Sequence, residues 1–580
     1  MITRPLVPAF LALLLALALA PDARACGCFT PPDPANPVVQ AGERILFAMD
    51  GNTIRATIQI QYAGSAADFG WILPLPSVPT LEVTTDELFF ALARGTQPSY
   101  VVSSRFAQGC EPPQAGSGLD GQGSGSSDPN GPLVLQDSVG PYDYAVLKAD
   151  DKTAMLDWLK TNRYFVPAGT DDVVAQYIHK GAFFLALRLK SGHATGDIQP
   201  VVVTYNSDLP MIPIVLTSVT AQPGMNVWAW VLGGARAIPR NYRHVVLDDA
   251  ALLWPVSFFG GPGLGGTVSG LPNNYFDVVG KAVKEVPGHH AFVTEFARPM
   301  TKAHERIFPA GVYGDLAELA KIADARKYLD YLRTYQYSFS PGMVQILQKY
   351  IKQPEGLKDL QGNPASPASY YYNFTFWWSN NPKAFQGFDL SFDAAALTAE
   401  LESKIVKPMR AVAADFQKSA YLTRLFTRLD PSDMSADPVF STNPDLPEVS
   451  NDHAATMDVM CMPGQWSWTG TLQTEQGFRI GYGMSLQPPN PWPAVPAALR
   501  IETLRESGPP VVETDNTKKI AMVLGQTLPE DPGPDGGTGG NPGNKATGGC
   551  GIGGGAGSGM GAIGLILALA MLGRRTRRRD

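Results

Sequence analysis

The clearest structural pattern in the chain is Thr53-Ile54-Arg55-Ala56-Thr57-Ile58-Gln59-Ile60-Gln61-Tyr62, in which polar and apolar side chains alternate. Alternation of this kind places the apolar side chains on one face, which is typical of a half-buried strand in an antiparallel sheet. Asp50, Gly51 and Asn52, immediately before it, are residues that favour a tight turn. Residues 44–49 and 53–62 are therefore predicted to form a β-hairpin.

Similar patterns along the chain predict a protein that mixes strands and helices. Further strands are predicted at residues 99–106, 144–148, 182–190, 201–205, 212–220, 227–232 and 291–296. Helices are predicted at residues 150–161, 171–180, 316–336, 343–351, 394–406 and 421–429. We therefore expect an α+β fold with an antiparallel, β-rich N-terminal half that carries inserted helices, and a more helical C-terminal half.

The composition bounds the number of domains and the class of partner. The chain has 580 residues, of which 44% are hydrophobic and 17% charged, and its formal net charge is -7. We expect a β-rich exported domain over residues 26–300, with a Gly/Ser-rich insertion at 111–131, and a mixed, more helical region over 301–511. A Pro/Gly-rich spacer is predicted over 512–549. The acidic balance argues against nucleic acid as a partner.

At the N terminus the sequence predicts a signal peptide over residues 1–25. A positive start, an apolar core at residues 6–20 and the A-x-A site Ala23-Arg24-Ala25 support this prediction. Cleavage after Ala25 would make Cys26 the first residue of the mature chain. Ordinary cleavage is favoured over lipidation of Cys26, because lipidation sites usually have Leu where this chain has Ala23.

At the C terminus, Cys550 is followed by the uncharged residues 551–573 and then by an arginine cluster. A helix of this length can cross a bilayer core of about 30 Å, and the basic end would stay on the cytoplasmic side. Residues 550–580 resemble the C-terminal sorting signal of myxobacterial surface proteins. The resemblance implies a sorting or processing protease as a partner, and anchoring in the membrane of the cell envelope with the body at the outer surface. Retention or cleavage of this membrane-spanning segment stays open, as does a plain anchor in which Cys550 has no role.

The cysteines other than Cys550 are candidates for disulfide bonds: Cys26, Cys28, Cys110 and Cys461. They are too few for a disulfide-held scaffold, but one or two long-range bridges can form in an oxidising compartment. A Cys-x-Cys metal site at Cys26 and Cys28 is an alternative that no second cysteine pair completes. For Cys461, a structural role is favoured over a nucleophile activated by His453.

The sequence carries no strong catalytic or cofactor motif. H-E-x-x-H, G-x-S-x-G and G-x-x-x-x-G-K-[ST] do not occur, and G-x-G-x-x-G at residues 261–266 lacks the following helix that a dinucleotide site needs. We expect no cofactor.

Four residues are weak candidates for a metal site: His289, His290, Glu295 and His304. Imidazole nitrogens and a carboxylate are suitable ligands, but adjacent histidines at a Pro-Gly turn do not easily converge on one ion. Paired surface histidines are therefore the favoured interpretation. On a strand over residues 291–296, Glu295 is expected on the face opposite to Phe292 and Phe296.

An aromatic run, Tyr-Tyr-Tyr-Asn-Phe-Thr-Phe-Trp-Trp at residues 370–378, suggests a second kind of site. As a strand, it would present one wholly aromatic face. Exposed aromatic rings stack on sugars or anchor proteins, so an unknown extracellular protein or glycan is the partner that such a face would bind. A core strand is the favoured alternative.

Short segments in order along the chain resemble the bacterial family called domain of unknown function 2330. They are Ala25-Cys26-Gly27, residues 40–47, Ile58-Gln59-Ile60-Gln61-Tyr62, Phe69-Gly70-Trp71-Ile72-Leu73-Pro74-Leu75-Pro76, Gly140-Pro141-Tyr142-Asp143, Phe292-Val293-Thr294-Glu295-Phe296 and Asn443-Pro444-Asp445-Leu446-Pro447. The resemblance covers roughly residues 25–449. It implies an exported family with no established activity, and it supplies no catalytic residues.

Two hypotheses for function follow from the sequence. The favoured one is an interaction or structural protein anchored at the surface of the cell envelope, with no identifiable catalytic site. The alternative is a surface-exposed hydrolase, with or without a metal, which rests on the chain size and on His289, His290, Glu295 and His304.

Overall fold

The structure is a computed structural model that describes residues 39–63, 70–107, 135–148, 151–162, 170–190, 199–256, 267–359, 362–461 and 468–527. The predicted signal peptide, the insertion at 111–131 and the predicted membrane-spanning segment lie outside these ranges. Cys26, Cys28, Cys110 and Cys550 lie outside them as well. Within the described residues, no helix has both the length and the apolar character needed to span a bilayer.

The strands and helices alternate irregularly along the described chain. The strands are β1 (Val39–Asp50), β2 (Thr53–Ala63), β3 (Gly70–Leu75), β4 (Thr80–Val83), β5 (Ser99–Phe106), β6 (Leu135–Val139), β7 (Tyr142–Lys148), β8 (Phe183–Leu189), β9 (Val201–Asn206), β10 (Ala221–Gly233), β11 (Arg236–Pro239), β12 (Arg243–Leu247), β13 (Thr267–Gly270), β14 (Ala291–Pro299), β15 (Tyr421–Leu429), β16 (Phe440–Asn443), β17 (Asp452–Cys461), β18 (Trp468–Thr474), β19 (Arg479–Tyr482), β20 (Ala498–Thr503) and β21 (Val511–Asp515). The α-helices are α1 (Glu87–Thr96), α2 (Lys152–Thr161), α3 (Thr170–Ala175), α4 (Ile214–Thr217), α5 (Tyr275–Lys284), α6 (Met300–Ile307), α7 (Leu316–Leu319), α8 (Ala325–Thr334), α9 (Pro341–Tyr350), α10 (Pro367–Tyr372), α11 (Phe374–Asn380), α12 (Ala394–Leu401), α13 (Lys407–Phe416) and α14 (Thr517–Val523).

The predicted hairpin is confirmed and forms two inner strands of the largest sheet. Strands β1 and β2 pair antiparallel from Asp50 and Thr53 outward. In the described residues this sheet has ten strands in the order β21-β20-β12-β14-β15-β10-β1-β2-β9-β4. The β1–β10 and β12–β14 pairs are parallel, so the sheet is mixed rather than purely antiparallel as expected. The α+β class is confirmed.

Three smaller sheets accompany the large one in the described residues. Their strand orders are β13-β5-β17-β18-β19, β3-β8-β7-β6 and β11-β16. Strands from early and late parts of the chain pair in them, as β5 does with β17. The chain also remains folded beyond residue 511, where β21 and α14 occupy the beginning of the predicted spacer.

Two predicted elements have the wrong type. Residues 421–429, predicted as a helix, form the inner strand β15, whose apolar residues Leu422, Leu425, Phe426 and Leu429 also fit a helical spacing. A strand buried on both faces loses its alternation, so the pattern cannot distinguish the two structures.

Residues 212–220, predicted as a strand, contain the short helix α4. The long helix predicted at residues 316–336 is broken into α7 and α8, and α8 begins at the side-chain cap Asp324.

Different layers cover the two faces of the large sheet. On one face, Leu46, Trp230 and Leu232 pack against a helical cluster that includes α1, α6 and the helices from α8 to α13. On the other face, alternate residues of β1 and β2 pack against β3 and β8 of the four-stranded sheet. The candidate site lies in this second layer, between two sheets.

Candidate functional site

Strand β1 carries an acidic residue on its otherwise apolar inner face. Glu43, Ile45 and Phe47 occupy alternate positions and line one cavity, because alternate side chains of a strand share a face. The pairing register of β1 shifts between Gln40 and Gly42, just before this acid. Glu43 is only 2% exposed, so its carboxyl group lies within an apolar layer.

The cavity beside Glu43 has a volume of about 210 Å³. Strands β1, β2, β3 and β9 form its walls, together with the turn after α3 and the loop after β9. Apolar side chains make most of the lining, among them Ile45, Phe47, Ile58, Leu73, Leu75 and Met211. The polar lining residues are Glu43, Gln176, Tyr177, His179, Tyr205 and Ser207. A mostly apolar cavity with a few polar groups is the usual composition of a small-molecule site.

Burial sets the protonation of Glu43. Removal from water disfavours the carboxylate and raises the pKa of Glu43 from 4.5 to about 7, although a side-chain hydrogen bond from Gln40 acts in the opposite direction. That bond is weak, since Gln40 Nε2 lies 3.4 Å from Glu43 Oε2. The carboxyl group therefore exchanges a proton near neutral pH, as functional acids often do.

The wall opposite the sheet is held in place by Tyr177. Its hydroxyl donates to Asp437 Oδ1 at 2.9 Å and accepts from the amide of Leu216 at 3.2 Å. Burial, with Asp437 nearby, raises the pKa of Tyr177, and burial alone raises that of Tyr205. Both phenols stay neutral at physiological pH, so they can donate or accept hydrogen bonds but carry no charge into the cavity.

Glu43 was not among the residues that the sequence patterns predicted for a site. The available signal was a single acid in the run Glu43-Arg44-Ile45-Leu46-Phe47, where alternation assigns it to the face of Ile45 and Phe47. It indicates a buried acid only if this face of β1 is known to be covered. The four-stranded sheet covers it, and the local sequence of β1 does not reveal that contact.

The predicted histidine pair does not form a metal site in the structure. His289 Nδ1 lies 2.8 Å from Asp433 Oδ1, whereas His290 Nε2 lies 2.9 Å from Ser435 Oγ. The His290 ring also packs against Tyr242, with the ring centres 4.8 Å apart. The two imidazoles therefore serve separate contacts with the loop after β15.

Glu295, the third candidate, belongs to a buried ion pair. Its Oε2 lies 2.5 Å from Arg424 Nε, and its Oε1 accepts from the Tyr275 hydroxyl at 2.6 Å. The carboxylate is thus paired with the Arg424 guanidinium of β15 and hydrogen-bonded by Tyr275 of α5, so it is not free to hold a metal ion.

The predicted face of Glu295 is wrong in one respect. The β14–β15 register shifts between Thr294 and Phe296, which makes Glu295 the extra residue of a β-bulge. Phe296 pairs with Arg424, and cross-strand partners share a face, so Phe296 and Glu295 lie on the same side rather than on opposite sides.

His304, the fourth candidate, lies apart in α6. Its Nε2 is 3.3 Å from the carbonyl of Ala413 and 3.2 Å from Gln417 Nε2, and its ring packs near Phe308. Among the described residues, no group of three or more His, Cys, Asp or Glu side chains is arranged to hold a metal ion. The four candidates therefore do not form one site.

Cys461 and His453 stand at opposite ends of β17. His453 is stacked on Tyr100 with ring centres 4.4 Å apart, and burial lowers its pKa to about 4. Cys461 pairs with Trp468 at the other end of the strand. At about 3.3 Å per residue the two are roughly 26 Å apart, so a Cys–His catalytic pair is excluded.

With the geometry established, comparison with known proteins identifies the family. A family model described as an uncharacterized protein conserved in bacteria (DUF2330) matches residues 20–441. The chain belongs to this family. The match confirms the resemblance predicted from the sequence, and every residue that lines the Glu43 cavity lies within the DUF2330 segment. No curated protein and no solved structure matches the chain.

The DUF2330 segment also contains the aromatic run, which is helical rather than extended. Residues 370–378 lie in α10 and α11, so the predicted aromatic strand face does not exist. Tyr370, Tyr371, Phe374 and Trp377 are buried in the helical cluster. Tyr372 is 41% exposed. The run is therefore mainly core, as the favoured interpretation expected, although its packing is that of helices.

Proposed function

We propose that this DUF2330 protein is an exported protein of the cell envelope, anchored through its C-terminal segment, and that its folded body binds a small, mostly apolar molecule. It acts as an interaction protein rather than as an enzyme. The cavity beside Glu43 is the observation that supports the binding role.

The size of the cavity and its buried carboxyl group are unusual for a packing defect. Protein interiors are close-packed, with few voids larger than a water molecule. Here about 210 Å³ lies open between two sheets, and it includes a carboxyl group buried at an energetic cost. A bound molecule that fills the cavity would recover dispersion contacts and hydrophobic burial for its lining.

The envelope location is supported by the sequence patterns at both ends. The signal-peptide pattern at residues 1–25 favours export, and Cys550 with the apolar segment and arginine cluster favours anchoring at the outer surface. A sorting or processing protease, and a larger partner such as an extracellular protein or glycan, stay proposals from the sequence. The hydrolase alternative rested on four residues that bind different partners, so we do not propose it.

Location is tested by protease treatment of intact cells that express the full-length chain with an epitope inserted near residue 526. Digestion of the epitope, with a periplasmic marker left intact, is expected. Complete protection would contradict the surface location. Cys550→Ser is the matched variant: if Cys550 is the processing site, its chain size or membrane retention changes, whereas a plain anchor leaves both unchanged.

Binding is tested by calorimetric titration of the purified full-length protein with n-hexanol, against a blank of identical buffer and detergent. A saturable signal with the wild-type chain is expected. Ala56→Leu adds side-chain volume to the wall of the cavity and should abolish that signal, while an unchanged circular dichroism spectrum shows that the fold persists. If A56L unfolds, the smaller Ala56→Val replaces it. The absence of saturable binding to the wild-type chain would refute the binding role.

A further inference from the structure

Among the described residues, Glu43 has no Lys or Arg side chain to pair with inside the cavity. Among the described residues that line it, Glu43 is the only carboxyl group, and Lys and Arg are missing. The other titratable groups that face the cavity are Tyr177 and His179 from the segment after α3 and Tyr205 from β9. The lining residues from β2, β3 and the loop after β9 contribute no titratable group.

Two charged residues that adjoin the lining residues, Arg44 and Asp437, are engaged elsewhere. Arg44 follows Glu43 on the opposite face of β1, where it donates to Gln59 Oε1 at 3.2 Å and lies over the Trp228 ring. Asp437 stands behind Tyr177, where it accepts from the Tyr177 hydroxyl. Neither residue can neutralise a carboxylate that forms at Glu43.

We infer that the cavity binds a small organic amine, with the ammonium group paired to the Glu43 carboxylate and the apolar body against Ile45, Phe47 and Leu73. This inference rests on the proposed binding function and names the class of its ligand. An ammonium supplies the missing counter-charge, and a charge-assisted hydrogen bond to it is shorter and stronger than the contact with Gln40. An anionic ligand would be repelled by the same carboxylate.

The volume bounds the size of the amine. At a liquid share of about 30 Å³ per water molecule, the cavity corresponds to roughly seven waters or to a similar number of heavy atoms. The probe n-hexylamine has this size, and n-hexanol and hexanoate match its chain length with a neutral and an anionic head. The three compounds therefore separate the effect of charge from that of apolar contact.

Binding of the amine is coupled to loss of a proton from Glu43. The pKa of Glu43 is raised to about 7 by burial, so about half of the molecules must release a proton at pH 7 when an ammonium binds. An alkylammonium stays charged across this range. Only the ionised carboxylate forms the pair, so the affinity for the amine should rise about tenfold from pH 6 to pH 8.

The experiment is calorimetric titration of the purified full-length protein with the three probes at pH 6, 7 and 8, in two buffers that differ in ionisation enthalpy. The amine is expected to bind more tightly than the alcohol at pH 8, and hexanoate not to bind. Comparison of the two buffers should reveal release of about half a proton at pH 7 with the amine and none with the alcohol.

Two variants make the result specific. Glu43→Gln keeps the shape of the side chain, and it should lose the proton release and the pH dependence while it still binds hexanol. Glu355→Gln makes the same chemical change at an exposed position outside the cavity lining, so it is the matched control and should retain both effects. Equal affinity for amine and alcohol, or an unchanged amine response in E43Q, would overturn the inference and leave the binding function standing. Failure of all three probes would refute the binding function itself.

Discussion

The buried acid of β1 should make the protein less stable as the pH rises. The pKa of Glu43 is about 7 in the folded chain against 4.5 for a solvated carboxyl, so the folded state holds its proton more tightly. The associated stability is fully present below pH 4.5 and is lost as the pH rises through about 7. At about 1.4 kcal/mol for each tenfold change in affinity for the proton, the difference corresponds to about 3 kcal/mol.

Glu43→Gln removes this penalty because the amide cannot ionise. We expect the free energy of unfolding of E43Q, relative to the wild-type chain, to increase by up to about 3 kcal/mol between about pH 4.5 and pH 8. Other buried acids, such as Glu87 with a pKa of about 8, give the same trend in both chains and cancel in this comparison. An increase of this difference with rising pH is the signature of a carboxyl whose pKa is raised by folding.

The assay is urea denaturation of the full-length protein, followed by tryptophan fluorescence at about pH 4.5, 6, 7 and 8. Trp71, one of the tryptophans that contribute to the signal, lies in the same core cluster as the cavity. Glu355→Gln makes the same chemical change at an exposed position and should track the wild-type chain. A difference between E43Q and wild type that stays constant within about 0.5 kcal/mol over this range would refute the reasoning, because it would mean that Glu43 is not desolvated.

Further predictions concern the ion pair, a strained turn and a buried histidine. Arg424→Met should cost about 3–5 kcal/mol in urea denaturation because it strands the Glu295 carboxylate, and Glu295→Leu in the same chain should recover most of that loss. Gly314→Ala should lower the free energy of unfolding by about 1–3 kcal/mol, because φ is +58° and the new Cβ would lie 2.5 Å from the Tyr331 hydroxyl. An unchanged denaturation midpoint would contradict this prediction. Burial lowers the pKa of His453 to about 4, so its protonation opposes folding as the pH falls from 6.5 toward 4. The free energy of unfolding of His453→Gln should therefore increase relative to that of the wild-type chain over this range. Parallel pH profiles of the two chains would show that the imidazole is solvated.

Local patterns predicted the elements whose two faces differ in polarity. The hairpin of β1 and β2 and the strand over Ser99–Phe106 were found where alternation placed them. Such segments can be predicted from the local sequence, because the alternation of polar and apolar residues matches the two-residue period of side chains along a strand. The α+β class followed from the same patterns.

Burial on both faces explains the main error. In β15 the burial extends over nearly every residue, and the polar residues Thr423, Arg424, Thr427 and Arg428 do not alternate with the apolar ones, so the sequence shows no strand period. The bulge at Glu295 was equally invisible, since an inserted residue becomes apparent only when the partner strand is known.

The candidate site depends on contacts between distant segments. The cavity brings together β1, the segment around Tyr177 and the loop after β9, and Asp437 orients the tyrosine from much later in the chain. No local motif encodes such an arrangement. The histidines that attracted attention in the sequence instead make separate structural contacts with the loop after β15 and with α13.

The inner position of β1 in the large sheet has a consequence for the order of folding. Strand β1, the first described strand, is followed closely in the chain by its neighbour β2. Its other neighbour, β10, begins only at Ala221, and β15, which pairs with the far side of β10, begins at Tyr421. Closing such long loops delays the pairing, so the large sheet should assemble only after most of the chain has been made. A newly synthesised chain would thus lack the complete large sheet for most of its synthesis, and such an incompletely folded chain is the form that the proposed export would require.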